Sequence, residues 1–407
     1  MSEISTQSTY NNVETDDIYK DPEVALQDEV MDGASQVNRT DPHEVLAELS
    51  GTLDGYRDSP SFHELIRSAA IDRGLDIQDV IDQVSKDKAY NPGNFFDNED
   101  VFMDVAQEIL DERKGGKSRH DLVAGEMSDT TKQSLDEVKE LLGMNRNTVP
   151  VQPEAEMVFV LGGAGATPAN RLKYTIDMIE RGELKTNVIV MVGCERPLVL
   201  KRNPSGENEL DRAGEAATNS KGELAETESD LMRNTAENVL GFNDDDTQVF
   251  EGFDPRVPAE QGFHRDWKIT YADIDHPQLG ALNIFATSAP MLGDNRFHPD
   301  GKPRNRANTS DTMIMMAEMN RDVNPDKPIH TVVVTDAIFT AFQGPDAKGA
   351  MAPYGISSET VGYNREYAGL EDWPAGDTLY KQEVLSALRQ TRAARNTLRT
   401  KLENLAA

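Results

Sequence analysis

The chain has 407 residues, with 41 Lys and Arg against 72 Asp and Glu, for a formal net charge of -31. That field repels nucleic-acid backbones and anionic lipid surfaces, so neither is an expected partner. Cys194 is the sole cysteine, which excludes an intramolecular disulfide scaffold; with no secretory pattern and no apolar run of membrane-spanning length, a soluble, cytoplasmic protein is expected.

In chain order, residues 1–40 are rich in Ser, Thr, Asn, Asp and Glu and read as a disordered acidic tail, because too few apolar side chains are present to offset the entropy of ordering. "DPHEVLAEL", "FHELIRSAAIDRGLDIQDVIDQVSKD", "NEDVFMDVAQEILDERKGG" and "SDTTKQSLDEVKELLG" carry apolar residues three and four apart. They predict a helical region over 41–145, followed by a Pro-containing linker near 145–155. From residue 153 to 407 the pattern changes to short apolar runs between helical stretches, which predicts an α/β unit with a mostly parallel sheet. "EMVFVLGG" and "NVIVMVGC" are strands joined by the helix "ANRLKYTIDMIERGEL". An insertion over about 198–226 reads as a surface loop, and "ETESDLMRNTAENVLGF" is a helix. "WKITYADID" and "ALNIFATSAPM" predict a hairpin about "HPQLG"; "SDTMIMMAEMN" is a helix, "IHTVVVTDAIF" a strand, and the chain ends in a long amphipathic helix.

Four places carry polar chemistry. In "VFVLGGAGATPANRLKY", Gly162 and Gly163 let a ligand approach the backbone, the next helix start offers N–H groups to an anion, and Arg171 can add a charge-assisted contact. The stretch matches neither G-x-G-x-x-G nor the G-x-x-x-x-G-K-[ST] loop, so a plain strand-to-helix turn is the competing reading. In "PRNRANTSDT", Arg304 and Arg306 precede Asn308, Thr309 and Ser310, which serve equally as a helix cap or as ligand contacts. Thr335 and Asp336 stand at a strand's carboxyl end, where a carboxylate can act as general base, and Glu228, with Asp230 nearby, opens a helix as a second acid. In a parallel sheet these loops share one crevice. No H-x-x-x-H or H-E-x-x-H pair occurs among the seven histidines, so no zinc site is predicted, and Cys194 reads as a small buried residue.

The order of these segments resembles the bacterial SanA/ElyC/YdcF-type domain family over residues 155–390. The Leu-Gly-Gly turn and arginine-started helix match "VFVLGGAGATPANRLKYTIDMIERGEL", Gly193 matches in "NVIVMVGC", and Glu228 to Met232 match a Glu-to-Met element. Asn308 and Thr309 match an Asn-Thr-x-x-Asn segment in which Thr312 replaces the second Asn. Thr335 matches the last motif, but Phe339 and Phe342 stand where the family places His and Arg. The resemblance implies a Rossmann-like three-layer fold, with roles in envelope-precursor metabolism for some members and S-adenosylmethionine binding for others.

The leading expectation is therefore a protein that binds a small anionic, nucleotide-like or phosphorylated molecule, acting as a hydrolase or transferase. Glu228 and Asp336 are its candidate catalytic groups; Gly162, Gly163, Arg171, Gly193, Glu195, Arg306, Asn308, Thr309 and Thr335 are its candidate ligand contacts. Two alternatives stand beside it. One is a non-catalytic scaffold that recruits a protein partner through its helical region. The other is an S-adenosylmethionine-binding protein with Glu195 on the ribose. The motifs fix no cofactor.

Overall fold

The computed structural model describes residues 40–86, 95–114, 119, 122–163, 165–198, 208–257, 263–292, 307–323, 329–369 and 375–406. The expected acidic tail, Arg304 and Arg306, and the first part of the insertion lie outside these residues.

Five helices come first: α1 (Pro42–Asp58), α2 (Pro60–Asp72), α3 (Ile77–Val84), α4 (Glu99–Leu110) and α5 (Asp129–Leu141). Their starts follow local chemistry. Asp41, Asp76, Asn98 and Ser128 each accept a hydrogen bond from a backbone N–H of the first turn, and Pro42 and Pro60 occupy first positions that need no donor.

The α/β unit then runs β1 (Met157–Leu161), α6 (Thr167–Glu180), β2 (Val188–Val192), α7 (Glu209–Ala213), α8 (Glu228–Leu240), β3 (Thr247–Phe253), β4 (Asp266–His276), β5 (Gly280–Ser288), α9 (Thr309–Val323), β6 (His330–Asp336), α10 (Ala337–Met351), β7 (Ser357–Tyr363) and α11 (Asp377–Ala406). The seven strands form one sheet in the order β3-β4-β5-β2-β1-β6-β7. β5, β2, β1, β6 and β7 are mutually parallel, and β4 and β3 add an antiparallel flank. The chain winds from β1 outward through β2 and later crosses back to β6 on the other side of β1. The switch point therefore lies at the carboxyl ends of β1 and β6, the place where the loops of a doubly wound sheet diverge.

Side-chain alternation along the strands builds two cores. Val158, Val160, Ile189, Met191, Val332 and Val334 meet Leu172 and Met178 of α6 and Met232 and Ala236 of α8. Phe159, Leu161, Val190, Val192 and Val333 meet Met313, Met316 and Ala317 of α9 and Ala347 and Met351 of α10. The fold is thus a doubly wound α/β sandwich with helices on both faces.

The predicted strands at 157–161, 188–192 and 330–336 and the β4–β5 hairpin are present. The insertion differs from the expected surface loop: its described part forms α7 and a 3-10 turn over Gly214–Ala217, and buries Ala213 and Ala216 against Leu231 of α8. Small apolar residues within a polar stretch supply that contact. β3, α10 and β7 were not anticipated from the pattern.

α11 joins the two parts of the molecule. Val384, Leu385 and Leu388 are wholly buried in the core made by Leu53, Phe62, Leu65, Phe102, Ile109 and Leu135 of the five leading helices. Farther along, Leu398 packs with Val45 and Leu49 of α1 and with Ala352 after α10. Arg395 anchors the same helix through a two-pronged ion pair with Glu99, at 2.6 Å for both contacts. The C-terminal helix thus completes the N-terminal core. Leu388→Ala is expected to destabilise the protein by about 2–5 kcal/mol through loss of transfer energy and the cavity left behind. Urea unfolding followed by circular dichroism measures this; a change below about 1 kcal/mol would show that the α11 seam is loosely packed.

Candidate functional site

The carboxyl ends of the parallel strands are aligned by register. Leu161 pairs with Val192, Val192 with Thr287, Val160 with Val334, and Asp336 with Tyr363. Continuing one residue past the last pair, and keeping side-chain alternation, a row on the α6–α8 face reads Ser288, Gly193, Gly162, Asp336, Tyr363. The row beneath, on the α9–α10 face, reads Thr287, Val192, Leu161, Thr335, Gly362.

On the first face, Arg171 is the central group. It is 3% exposed and turned inward from α6. Its Nε lies 3.3 Å from Asp336 Oδ1, and its Nη1 donates at 2.8 Å to the carbonyl of Leu161 and also to that of Gly162. One guanidinium therefore ties the end of β1 to the end of β6. Asp336 opens α10, yet its side chain does not cap that helix; the carboxylate faces Arg171 and accepts from the Tyr363 hydroxyl. Burial, with the Asp336 charge beside it, drives the Tyr363 phenol far above its ordinary range and keeps it a neutral donor.

The glycines serve close packing. A Cβ on Gly162 would stand 2.6 Å from the Val192 carbonyl and 2.8 Å from Glu228 Oε1, so the missing side chain makes room for the Glu228 carboxylate. On Gly193 a Cβ would meet Ser229 Cα at 2.8 Å, which places this glycine under the start of α8. In the same turn Gly165 has φ +65, the left-handed region that disfavours side chains. Gly163 abuts Thr167 and the Arg171 guanidinium.

Glu228 is held from the other side. Thr227 and Asp230 form a reciprocal capping box that starts α8 there, because Thr-x-x-Asp satisfies two end groups at once. Cys194 donates its thiol hydrogen to Glu228 Oε2 at 2.8 Å. Arg196 Nε lies 3.7 Å from the same oxygen, while its Nη1 pairs with buried Glu209 at 2.9 Å. Burial pulls the Arg196 pKa down, but Glu209 and Glu228 outweigh it and the net shift is upward. Glu209 comes from α7, in the insertion, where the sequence pattern suggested only a loop. Glu195, at the end of β2, holds its Oε1 buried without a hydrogen-bond partner.

On the second face, Asn308 caps α9: its Oδ1 accepts from the Asp311 N–H at 2.9 Å, and Asp311 accepts from the Asn308 N–H at 2.8 Å. Thr309 is the first residue of that helix. The hydroxyls of Thr287, Thr312 and Thr335 are wholly buried and unpartnered, as is that of Ser288 on the opposite face. Each such hydroxyl costs about 1–3 kcal/mol of desolvation. α6, like α10, starts without a side-chain cap: Ala166 has no side-chain acceptor for its first N–H groups.

The structure thus joins Gly162, Gly163, Arg171, Gly193, Glu228 and Asp336 by direct or successive contact and sets Glu195, Asn308, Thr309 and Thr335 at the same sheet edge. Arg306 lies outside the described residues. Arg171 is committed to carbonyls and to Asp336, which gives it an anchoring position where an open anion contact was expected. Sequence reasoning missed Arg119. Its guanidinium sits 5.1 Å and 5.4 Å from the ring centres of Phe339 and Phe342 and forms a two-pronged pair with buried Glu383 at 2.5 and 2.8 Å. A cation from a distant segment therefore stands over Phe339 and Phe342, and no local pattern signals it. No protein-family model, curated protein or solved structure matches the chain.

Two outcomes are expected here. Arg171→Met, which keeps most of the volume but strands Asp336, should lower stability by about 3–5 kcal/mol, and pairing it with Asp336→Asn should recover part of the loss. A double-mutant cycle in urea measures the coupling, and additive losses would show that the pair is not coupled. Gly193→Ala should cost roughly 1–3 kcal/mol by forcing α8 off the sheet edge; an unchanged unfolding midpoint would contradict the close approach.

Proposed function

We propose that the protein binds a small nucleotide-like or phosphorylated molecule at the carboxyl edge of its sheet and performs hydrolysis or group transfer on it. The observation that carries this reading is the uncapped start of α6 directly behind Gly162 and Gly163, with Glu228 beside it. First-turn N–H groups that receive no side-chain cap, Pro168 contributing none, and the positive end of the helix dipole favour an anion there, and a carboxylate next to it is placed for proton transfer. Glu228 is 14% exposed in its side chain whereas Asp336 is sealed against Arg171. The proposal accordingly gives Glu228 the acid–base role and gives Asp336, with Arg171, the role of holding the loop in place. The SanA/ElyC/YdcF-type resemblance is consistent with this assignment and belongs to the same proposal.

The unpartnered Glu195 oxygen favours a second reading, in which the ligand is S-adenosylmethionine and Glu195 takes its ribose hydroxyls. Native mass spectrometry of freshly purified protein, followed by a thermal-shift screen of nucleotides, sugar nucleotides and S-adenosylmethionine, separates the two. A phosphorylated ligand is expected, and Glu228→Gln should reduce its turnover by about 100-fold or more with little change in stability. An empty protein that no compound in the screen stabilises would remove both readings.

A further inference from the structure

The anion site proposed at the start of α6 gains no open cation from Arg171, which is spent on two carbonyls and Asp336. The insertion brings another arginine there. If Gly165 carried a Cβ, that atom would stand 2.9 Å from Arg212 Cβ and 3.4 Å from the Arg212 carbonyl oxygen, so α7 lies directly on the glycine turn that leads into α6. Glu209 and Arg212 are three residues apart and share one face of α7. From that face Glu209 holds Arg196 beside Glu228, while Arg212 meets Gly165. A reciprocal cap between Asn208 and Asp211 fixes the start of this short helix.

Arg212 differs from Arg171 and Arg196 in its commitments. Its side chain makes one hydrogen bond among the described residues, from Nε to the Asn208 carbonyl at 3.4 Å, and no carboxylate among them pairs with it. The residue is half-buried, yet neither of its Nη groups is sealed from solvent. In a chain of net charge -31 carboxylates are the commoner neighbour, and here both Nη groups are left for a ligand. Two such donors in one plane match two oxygens of a phosphate. Glu228 opposes an anion by one charge, but Arg196 beside it offsets that charge. Arg212 and the helix start therefore act together on the ligand, and both favour a second negative charge on it. We infer that Arg212 is the ligand-contacting cation of this site and that the ligand class is a dianionic phosphate monoester, as opposed to a phosphodiester. The inference rests on the anion site proposed above.

Isothermal titration of the full chain with ethyl phosphate and with diethyl phosphate, at about pH 8 and one ionic strength, tests the assignment, because the monoester is a dianion there and the diester a monoanion. The parent should bind ethyl phosphate about tenfold or more tightly than diethyl phosphate. Arg212→Gln, which keeps the stem against Gly165, should lower ethyl phosphate affinity by about tenfold or more and erase most of the preference. Its urea midpoint should match that of the parent, since no ion pair is lost. If that variant fails to fold, Arg212→Lys supplies the comparison: it keeps the charge, loses the paired donors and should bind ethyl phosphate about threefold or more weakly. Arg389→Gln removes an exposed cation of α11 and should change neither affinity. Ethyl phosphate affinity unchanged by substitution at Arg212, or lowered as much by Arg389→Gln, would overturn the Arg212 assignment while leaving the anion site standing. Equal affinity of the parent for the two probes would overturn the monoester class. Binding of neither probe would overturn the anion site and the inference together.

Discussion

The carboxyl edge of the sheet depends on one buried charge. Arg171 carries a guanidinium into the interior, and the cost of removing it from water is offset only because two backbone carbonyls and the Asp336 carboxylate receive it. Those carbonyls belong to Leu161 and Gly162, the last residue of β1 and the first of the loop. The guanidinium therefore fixes the loop's direction and, through Asp336, the start of α10. Tyr363 extends the arrangement to β7. Three adjacent strands end at one set of polar contacts, at the point where the sheet reverses its winding.

The same geometry explains why glycine stands at 162 and 193. With the loop pinned by Arg171, the Glu228 carboxylate and the Val192 carbonyl occupy the space a side chain at 162 would need, and Ser229 fills the corresponding space at 193. Close approach of α8 to the sheet sets Glu228 beside Cys194 and Arg196. Arg196 then reaches Glu209 in the insertion. The insertion thereby supports the site although its described residues contribute no strand.

What the sequence revealed follows from how each element is buried. β1, β2 and β6 are covered on both faces and carry continuous apolar runs, and α6 and α8 carry clear stripes ended by glycine, with a Thr-x-x-Asp cap opening α8. β3 is an edge strand with most residues exposed, so "TQVFEGF" shows no run; β7, "SSETVGY", pairs on one side only and is half polar. α10 contains Gly344, Pro345 and Gly349, which oppose a helix by propensity and are overridden by packing: Gly349 lies against Ala394 of α11 with no space for a side chain. Site membership was legible for residues beside strand ends, because register alone brings them together. The direction of Arg171 was not, since it depends on a carboxylate 165 residues away.

Arg119 and α11 show how the helical part bears on the carboxyl edge of the sheet. Glu383 is wholly buried in the second turn of α11, where an unpaired carboxylate would be strongly disfavoured, and Arg119 neutralises it. That pairing fixes the guanidinium over Phe339 and Phe342 in the first two turns of α10, just past Asp336. The two rings supply a quadrupole surface for the cation, so the start of α10 receives a charge delivered from elsewhere in the chain. Since α11 also fills the core of the five leading helices and lies against α10 at Gly349, packed side chains connect those helices to α10 and to Asp336 at its start.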